Sequence, residues 1–259
     1  MKRLVLALIL SVSFSALAED TPFMHLLGYS PNGQYMAFQE VVIQDGSGNL
    51  SSRIYILDTV ADRYVPQGWS QNPMLNDYLD VNGEMGEAEG LQSLSSFTKQ
   101  AQAKASSLLS EFGVDPKKGQ QLLATFGPRI GGLVYQGKQI YLYKRGEVIE
   151  VTPDRFSMCE GYEGLIPDLG PNKLLGYSII ATSADKEDYS PVTVHNDMLK
   201  NNGNGWVPSS RGCPQEYSVA GAVAYGDQIT LIVQVQTHGF EGADVSLITV
   251  PFRFSEVVD

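Results

Sequence analysis

Residues 27–43 read Leu-Gly-Tyr-Ser-Pro-Asn-Gly-Gln-Tyr-Met-Ala-Phe-Gln-Glu-Val-Val-Ile, and residues 53–58 read Arg-Ile-Tyr-Ile-Leu-Asp. The Ser30-Pro31-Asn32-Gly33 segment predicts a turn, because proline presets φ and glycine accepts a positive φ. Aromatic and β-branched residues on either side are typical of half-buried strands. The region therefore predicts a strand, a tight turn, a second strand, a polar loop and a third strand.

The first 18 residues have the pattern of a secretory signal peptide. A short basic start, Met1-Lys2-Arg3, precedes an apolar run, and Ala16-Leu17-Ala18 fits a small-x-small cleavage site. A membrane anchor is the alternative, but the apolar run is shorter than the roughly 20 residues that span a bilayer. We predict cleavage after Ala18, a single secreted domain over 19–259, and a periplasmic or secreted location without membrane insertion.

The charge of the chain limits the class of partner. The full chain has 18 basic and 29 acidic residues, a formal net charge of −11. Removal of Lys2 and Arg3 leaves 16 basic and 29 acidic residues, or −13. Nucleic acids and anionic membranes bind basic surfaces, so neither is an expected partner.

Most of the chain after the first meander also has a β pattern. Gln136-Gly137-Lys138 and Lys144-Arg145-Gly146 are both expected to be tight turns between short strands. Further strands are predicted at the following segments: 63–65, 132–135, 139–143, 147–151, 156–162, 174–183, 191–195, 217–225, 228–236 and 244–254. These patterns predict a mainly β fold, with antiparallel meanders in two packed sheets. A small β-propeller is the alternative fold.

One region, about 90–127, has a helical pattern instead. Apolar residues recur at steps of three and four from Leu94 to Phe112, and Gly113 is a plausible stop. Asp115-Pro116 then matches the start of a second helix, which would carry Leu122 and Leu123. We therefore predict an inserted helical hairpin whose apolar stripe packs on the β domain, the alternative being a partner-binding face.

The chain has two cysteines, Cys159 and Cys213. In an oxidising compartment such an isolated pair usually forms a disulfide. A Cys213 nucleophile activated by His238 is the alternative, and it requires Cys159 to stay unpaired.

Two groups of residues are candidate binding sites. A patch around the cysteines combines carboxylates with one arginine: Glu160, Glu163, Arg211 and Glu241. It is either a binding site or a structural ion pair. Asp45, Asn49 and Asp244 supply hard oxygen ligands in two loops between strands, as calcium requires, although such loops are usually only turns.

Two stretches resemble known families. Gly28 to Phe38, with the closing Ile54-Tyr55-Ile56-Leu57-Asp58, resembles a blade of TolB-like propellers. A resemblance over nearly the whole mature chain is to the DUF2259 family of predicted secreted bacterial proteins, and the segments that carry it are 35–40, 44–48, 209–214 and 239–242. This resemblance implies export and one folding unit, and it implies no activity.

The sequence contains no Gly-x-Ser-x-Gly nucleophile elbow, no phosphate-binding loop, no dinucleotide fingerprint and no His-Glu-x-x-His motif. We therefore predict an exported, non-enzymatic binding or interaction protein whose ligand is a protein or a small molecule. The alternative is a periplasmic hydrolase with a site assembled from distant loops, so no catalytic residues are assigned.

Overall fold

The computed structural model describes residues 22–43, 49–65, 81–84, 90–115, 121–125, 132–151, 159, 172–185, 190–198, 207, 211–238 and 243–258. Only the backbone is described at residues 43, 49–50, 81–84, 90–94 and 121–125. The predicted signal peptide, the Asp45-Gly46 loop and most of the predicted strand 156–162 lie outside these residues.

Sheet A is formed by the first part of the chain. Its strands are β1 (Pro22–Tyr29), β2 (Tyr35–Ile43), β3 (Asn49–Asp58), β4 (Arg63–Tyr64) and β5 (Val81–Glu84). The order is β1-β2-β3-β4, all antiparallel, and β5 pairs with the start of β3. The predicted turn joins β1 to β2: Gly33 donates its N–H to the Ser30 carbonyl at 2.8 Å and has a φ of 73°. The predicted meander and the short strand β4 are confirmed.

Two helices follow, α1 (Gly90–Lys104) and α2 (Ser106–Glu111). Their apolar stripe packs on one face of sheet A, as predicted, through Phe97, Ala101, Ala105 and Leu109. Gly113 ends the helical region with a φ of 67°, a conformation that glycine adopts without strain.

The predicted second half of the helical hairpin is wrong. Residues 121–125 form strand β6 (Gln121–Thr125), which pairs with residues Gly221 to Ala224 far along the chain. Gln, Leu and Ala favour helix, but local propensity is a weak prior, and the ladder formed with a distant strand overrides it here.

Sheet C contains β7 (Gly132–Tyr135), β8 (Lys138–Glu150), β9 (Lys173–Ser183) and β10 (Val192–Asn196). The order is β10-β9-β8-β7. Gln136 and Gly137 make the predicted tight turn with φ of 46° and 79°. The predicted turn at Lys144-Arg145-Gly146 is wrong, because β8 is one 13-residue strand that pairs with β9 from Ile140 to Glu150.

Sheet B lies in the middle. Its strands are β11 (Pro214–Tyr225), β12 (Gln228–His238) and β13 (Ala243–Arg253), in the order β13-β12-β11-β6. A last short helix, α3 (Ser255–Val258), packs next to β13 and β9.

Sheet B is the central layer, because its side chains alternate between two faces and both faces are covered by another sheet. Ile229, Leu231 and Val233 face sheet C, whereas Ile232 and Val223 pack against sheet A. The layers are therefore the helices, sheet A, sheet B and sheet C. The predicted mainly β class with antiparallel meanders is confirmed, and the described residues form three sheets rather than two. Within the described residues, no helix has the length and apolar character needed to cross a bilayer.

Candidate functional site

A buried charge cluster lies where sheet C meets the start of β11. Its five side chains come from three strands and two turns: Tyr177, His195, Asp197, Arg211 and Tyr217. All five are buried, and Asp197 and Tyr177 are fully so. We call this group the charge cluster.

Asp197 is the centre of the charge cluster. His195 Nε2 lies 3.0 Å from Oδ1, and Arg211 Nη1 donates to Oδ2 at 2.8 Å. The backbone N–H of Tyr177 also donates to Oδ2, at 2.9 Å. The carboxylate therefore has both oxygens occupied, as a buried charge requires.

Glycine at position 176 makes room for this arrangement. A Cβ added there would lie 3.2 Å from Asp197 Oδ2 and 2.1 Å from Cδ1 of Ile149. A larger residue would displace both neighbours, so Gly176 is a packing requirement of the charge cluster.

Aromatic rings enclose the guanidinium group. The Tyr177 ring stacks with the His195 ring at 4.2 Å and with the Tyr217 ring at 4.5 Å, centroid to centroid. The Arg211 guanidinium carbon lies 5.0 Å from the Tyr177 centroid and 5.7 Å from that of Tyr217, which is cation–π distance.

The two tyrosine hydroxyls differ. The Tyr217 hydroxyl donates to the Leu175 carbonyl at 2.8 Å and accepts from Arg211 at 3.5 Å. The Tyr177 hydroxyl is buried and has no hydrogen-bond partner in the described structure.

The pKa values reflect the pairing of charges. Burial alone would raise the pKa of Asp197, but the hydrogen bond from His195 and the Arg211 charge lower it below its ordinary value. Burial raises the pKa of Tyr217 to about 12, although Arg211 opposes the shift. Asp197 is therefore ionised at neutral pH and Tyr217 is a neutral hydroxyl.

The disulfide fixes the chain beside Arg211. Cys159 and Cys213 are bonded, with 5.7 Å between their Cα atoms and a sequence separation of 54. The predicted disulfide is confirmed, and Cys213 is thereby not a nucleophile. Because Cys213 is two residues from Arg211, the bond restrains the backbone next to the residue that pairs with Asp197.

The chemistry open to the charge cluster is limited by its burial. A His–Asp pair can orient a general base, but such a base must reach a substrate. Here the imidazole is buried and stacked on Tyr177, and Asp197 is wholly inside. The arrangement is suited to holding sheet C and the β11 turn together.

Of the predicted binding patch, only Arg211 is a described residue, and its carboxylate partner in the structure is Asp197. Glu160, Glu163 and Glu241 lie outside the described residues. Sequence analysis missed Asp197, His195, Tyr177 and Tyr217. The one local signal is that Asp197 directly follows strand β10, two residues after His195.

The calcium candidates are only partly described. Asp45 lies outside the described residues, Asn49 is described by its backbone at the start of β3, and Asp244 is an exposed residue of β13. Among the described side chains no group of three or more His, Cys, Asp or Glu could hold a metal ion. Calcium at these positions therefore stays a prediction.

A second buried carboxylate lies between sheets A and B. Glu40 is 3.8 Å from Arg53 and also receives hydrogen bonds from the Leu247 N–H and the Tyr55 side chain. Burial raises the pKa of Glu40, and these groups only partly offset the rise. Nearby, the hydroxyls of Tyr64 and Thr249 are 3.2 Å apart.

A small cavity of about 170 Å³ lies between β1 and the helices, next to Leu27, Gln102 and Leu109. Its two lining serines donate to carbonyls of their own helical segment: Ser106 to Ala103 and Ser110 to Ser106, each at 2.8 Å. Their hydroxyl protons are therefore already engaged within the helical region.

The family model of DUF2259, described as a predicted secreted protein, matches residues 37–154 and 193–253. The chain belongs to this family. The match covers more than half of the chain, including β3, α1, β8 and sheet B, and the disulfide agrees with the exported location that the family description states. No curated protein and no solved structure matches the chain. The resemblance to TolB-like blades receives no support from these comparisons.

Proposed function

We propose that this exported chain is a non-enzymatic interaction protein that binds a polypeptide partner on the outer face of sheet C. The observation that carries the proposal is a group of exposed side chains on β7 and β8, namely Val134, Tyr141 and Tyr143. Their exposed fractions are 53%, 42% and 46%. We call this group the tyrosine face.

Strand alternation places the tyrosine face opposite the core. Ile140 and Leu142 point towards sheet B, so Tyr141 and Tyr143 point away from it. The Tyr141 ring lies over Gly132, where an added Cβ would be only 3.4 Å from Cδ1 and Cε1. The ring therefore rests on the backbone of β7 while much of it stays accessible.

The aliphatic neighbours of the rings favour a polypeptide partner. Val134 is aliphatic, and half-buried Ile180 of β9 is opposite Tyr143 in the ladder. Tyrosines beside aliphatic residues are typical of the centres of protein interfaces.

The hydrolase alternative would have to draw on the charge cluster. A catalytic site needs convergent polar groups in an accessible cleft. His195 and Asp197 instead pair with each other in the interior, Asp197 also binds Arg211, and Cys213 is disulfide-bonded. The described residues therefore support binding more than catalysis.

The test is position-specific photo-cross-linking in the native compartment. A photoreactive amino acid replaces Tyr141 or Tyr143, and a matched control replaces Val60, which is 66% exposed in a turn of sheet A. We expect a discrete adduct with a different polypeptide at 141 and 143 and none at 60. Equal labelling at all three positions, no polypeptide adduct at 141 and 143, or adducts only between copies of this chain would contradict the proposal.

A further inference from the structure

Strand β8 is longer than the strand beside it. On one side it pairs with β9 from Ile140 to Glu150, but on the other side the four-residue β7 reaches only to Tyr141. The described residues place no strand against residues 142–150 on that side. Within the described part of the chain, β8 therefore has an open edge from Leu142 to Glu150.

The backbone of this edge is accessible. Tyr135 and Lys138 close the two-residue turn as a hydrogen-bonded pair. Hydrogen-bonded pairs alternate with non-hydrogen-bonded ones, so the even-numbered residues of β8 direct their N–H and C=O groups towards the β7 side. Gly146 is such a residue and is exposed, and Val148 is exposed as well. Among the described residues these groups have no strand partner, and such a row of donors and acceptors can take up another strand.

The charges along the open edge are arranged in two halves. Lys144 and Arg145 precede Gly146, and Glu147 and Glu150 follow it. An antiparallel copy of the same segment would bring each basic half against the acidic half of the other copy. A sequence that complements itself in this way is what a two-fold symmetric interface needs.

We propose that two copies of this chain associate through β8, pairing antiparallel about a two-fold axis at Gly146. In this register Arg145 of each copy lies opposite Glu147 of the other, and Lys144 lies opposite Val148. Leu142 pairs with Glu150, so the partner strand fills the edge that begins where β7 ends.

The pairing places opposite charges at close range. Arg145 and Glu147 face each other at a non-hydrogen-bonded position, where side chains of antiparallel strands approach most closely. Charged residues on an edge strand usually discourage pairing with other chains. In the proposed register these charges attract, because Arg145 faces Glu147. A shift of the register by two residues would place Arg145 opposite Arg145, or Glu147 opposite Glu147, and the copies would repel.

The dimer would extend sheet C across the axis. The axis runs perpendicular to the sheet, so both tyrosine faces would lie on one side, next to each other. The dimer does not depend on the proposed function, since it would form even if the tyrosine face bound no other protein.

The experiment measures molar mass by sedimentation and light scattering on the mature protein over a range of concentrations. We expect a monomer–dimer equilibrium for the wild type. Arg145→Glu and Glu147→Arg should each weaken it about tenfold or more, because each places like charges opposite one another twice. Lys99→Glu, an exposed helical charge reversal, is the matched control and should leave it unchanged.

The decisive sample is the mixture of Arg145→Glu with Glu147→Arg. The first variant is acidic at both positions and the second is basic at both, so each repels a copy of itself. When one copy of each meets, every acidic side chain lies opposite a basic one, and the mixture should dimerise. The double variant Arg145→Glu/Glu147→Arg should also regain the dimer, and wild-type melting curves for the variants would show that folding is intact.

A wild type that stays monomeric into the millimolar range would overturn the proposal. A dimer that neither single reversal weakens, or a mixture that fails to dimerise, would overturn the β8 interface. These mass measurements are separate from the cross-linking at Tyr141 and Tyr143, so failure of one proposal is distinguishable from failure of the other.

Discussion

Asp197 and Glu40 are both carboxylates buried between sheets beside an arginine, yet their pKa values shift in opposite directions. Asp197 receives a hydrogen bond from Arg211 at 2.8 Å and another from His195 at 3.0 Å. Glu40 is 3.8 Å from Arg53, whose side chain is 34% exposed. Burial therefore does not alone decide the direction in which the pKa of a buried carboxylate shifts. A short charge-assisted hydrogen bond outweighs desolvation, whereas a longer and solvent-screened pair does not.

Removing the negative charge of Asp197 or of Glu40 should give the largest difference between the two sites in the free energy of unfolding. Asp197→Asn keeps the shape but leaves the Arg211 cation buried without an anion, which costs about 3–5 kcal/mol. Glu40→Gln is the matched variant and should change the free energy of unfolding by less than about 1 kcal/mol. Urea unfolding at neutral pH measures both, and equal losses would show that the two pairs are equivalent.

A smaller effect distinguishes the two tyrosines of the charge cluster. Tyr217→Phe removes a hydroxyl bonded to the Leu175 carbonyl and to Arg211, and should cost about 1 kcal/mol. Tyr177→Phe removes a buried hydroxyl with no partner in the described structure, so stability should stay the same or rise. Thermal melts of the two variants check this, and a larger loss for Tyr177→Phe would mean that its hydroxyl has a partner.

The smallest expected effect is the contribution of Glu40 to the pH dependence of the free energy of unfolding. Its pKa is raised on folding, so the folded state binds the proton more tightly, and stability falls as pH rises from about 4.3 to above the folded pKa. Glu40→Gln should remove this decline, about 1 kcal/mol or less. Asp197 affects stability in the opposite direction, because its pKa is lowered on folding. Its contribution to stability is present above a pH of about 3.9, the ordinary pKa, and is lost as the pH falls towards the lower folded pKa.

The comparison is made by measuring stability at several pH values for the wild type and Glu40→Gln. The difference between the two proteins should change steadily in favour of the variant as pH rises. A constant difference would mean that the pKa of Glu40 is the same in the folded and unfolded states.

The strands were predictable where one local pattern determines them. β1 to β3 and β11 to β13 follow from alternation and turn residues, and Phe97 to Leu109 follow from helical spacing. Prediction failed at β6, where the partner β11 is distant in sequence, and at Gly146, which looks like a turn residue but lies in the ladder opposite Tyr177.

The charge cluster was not predictable for a related reason. Its members are spread from Tyr177 to Tyr217 over two strands of sheet C, β11 and two turns, and only packing brings them together. Arg211 was a candidate because it is close to Cys213, but nothing in the sequence pairs it with Asp197. The disulfide was predictable because the chain has only two cysteines.

The middle position of sheet B sets an order of events for an exported chain. The described strands of sheet A end at Glu84 and those of sheet C at Asn196, whereas sheet B combines β6 with residues 214–253. If the chain is exported from its N-terminus, the strands of sheets A and C are translocated before the last strands of sheet B, so their inner faces stay uncovered until those strands follow. Sheet B covers both inner faces, and it is completed last, by pairing between strands distant in sequence, which is intrinsically slow. Until then the newly exported protein carries two uncovered apolar surfaces, and its exposure to aggregation is decided by how quickly the last forty or so residues arrive.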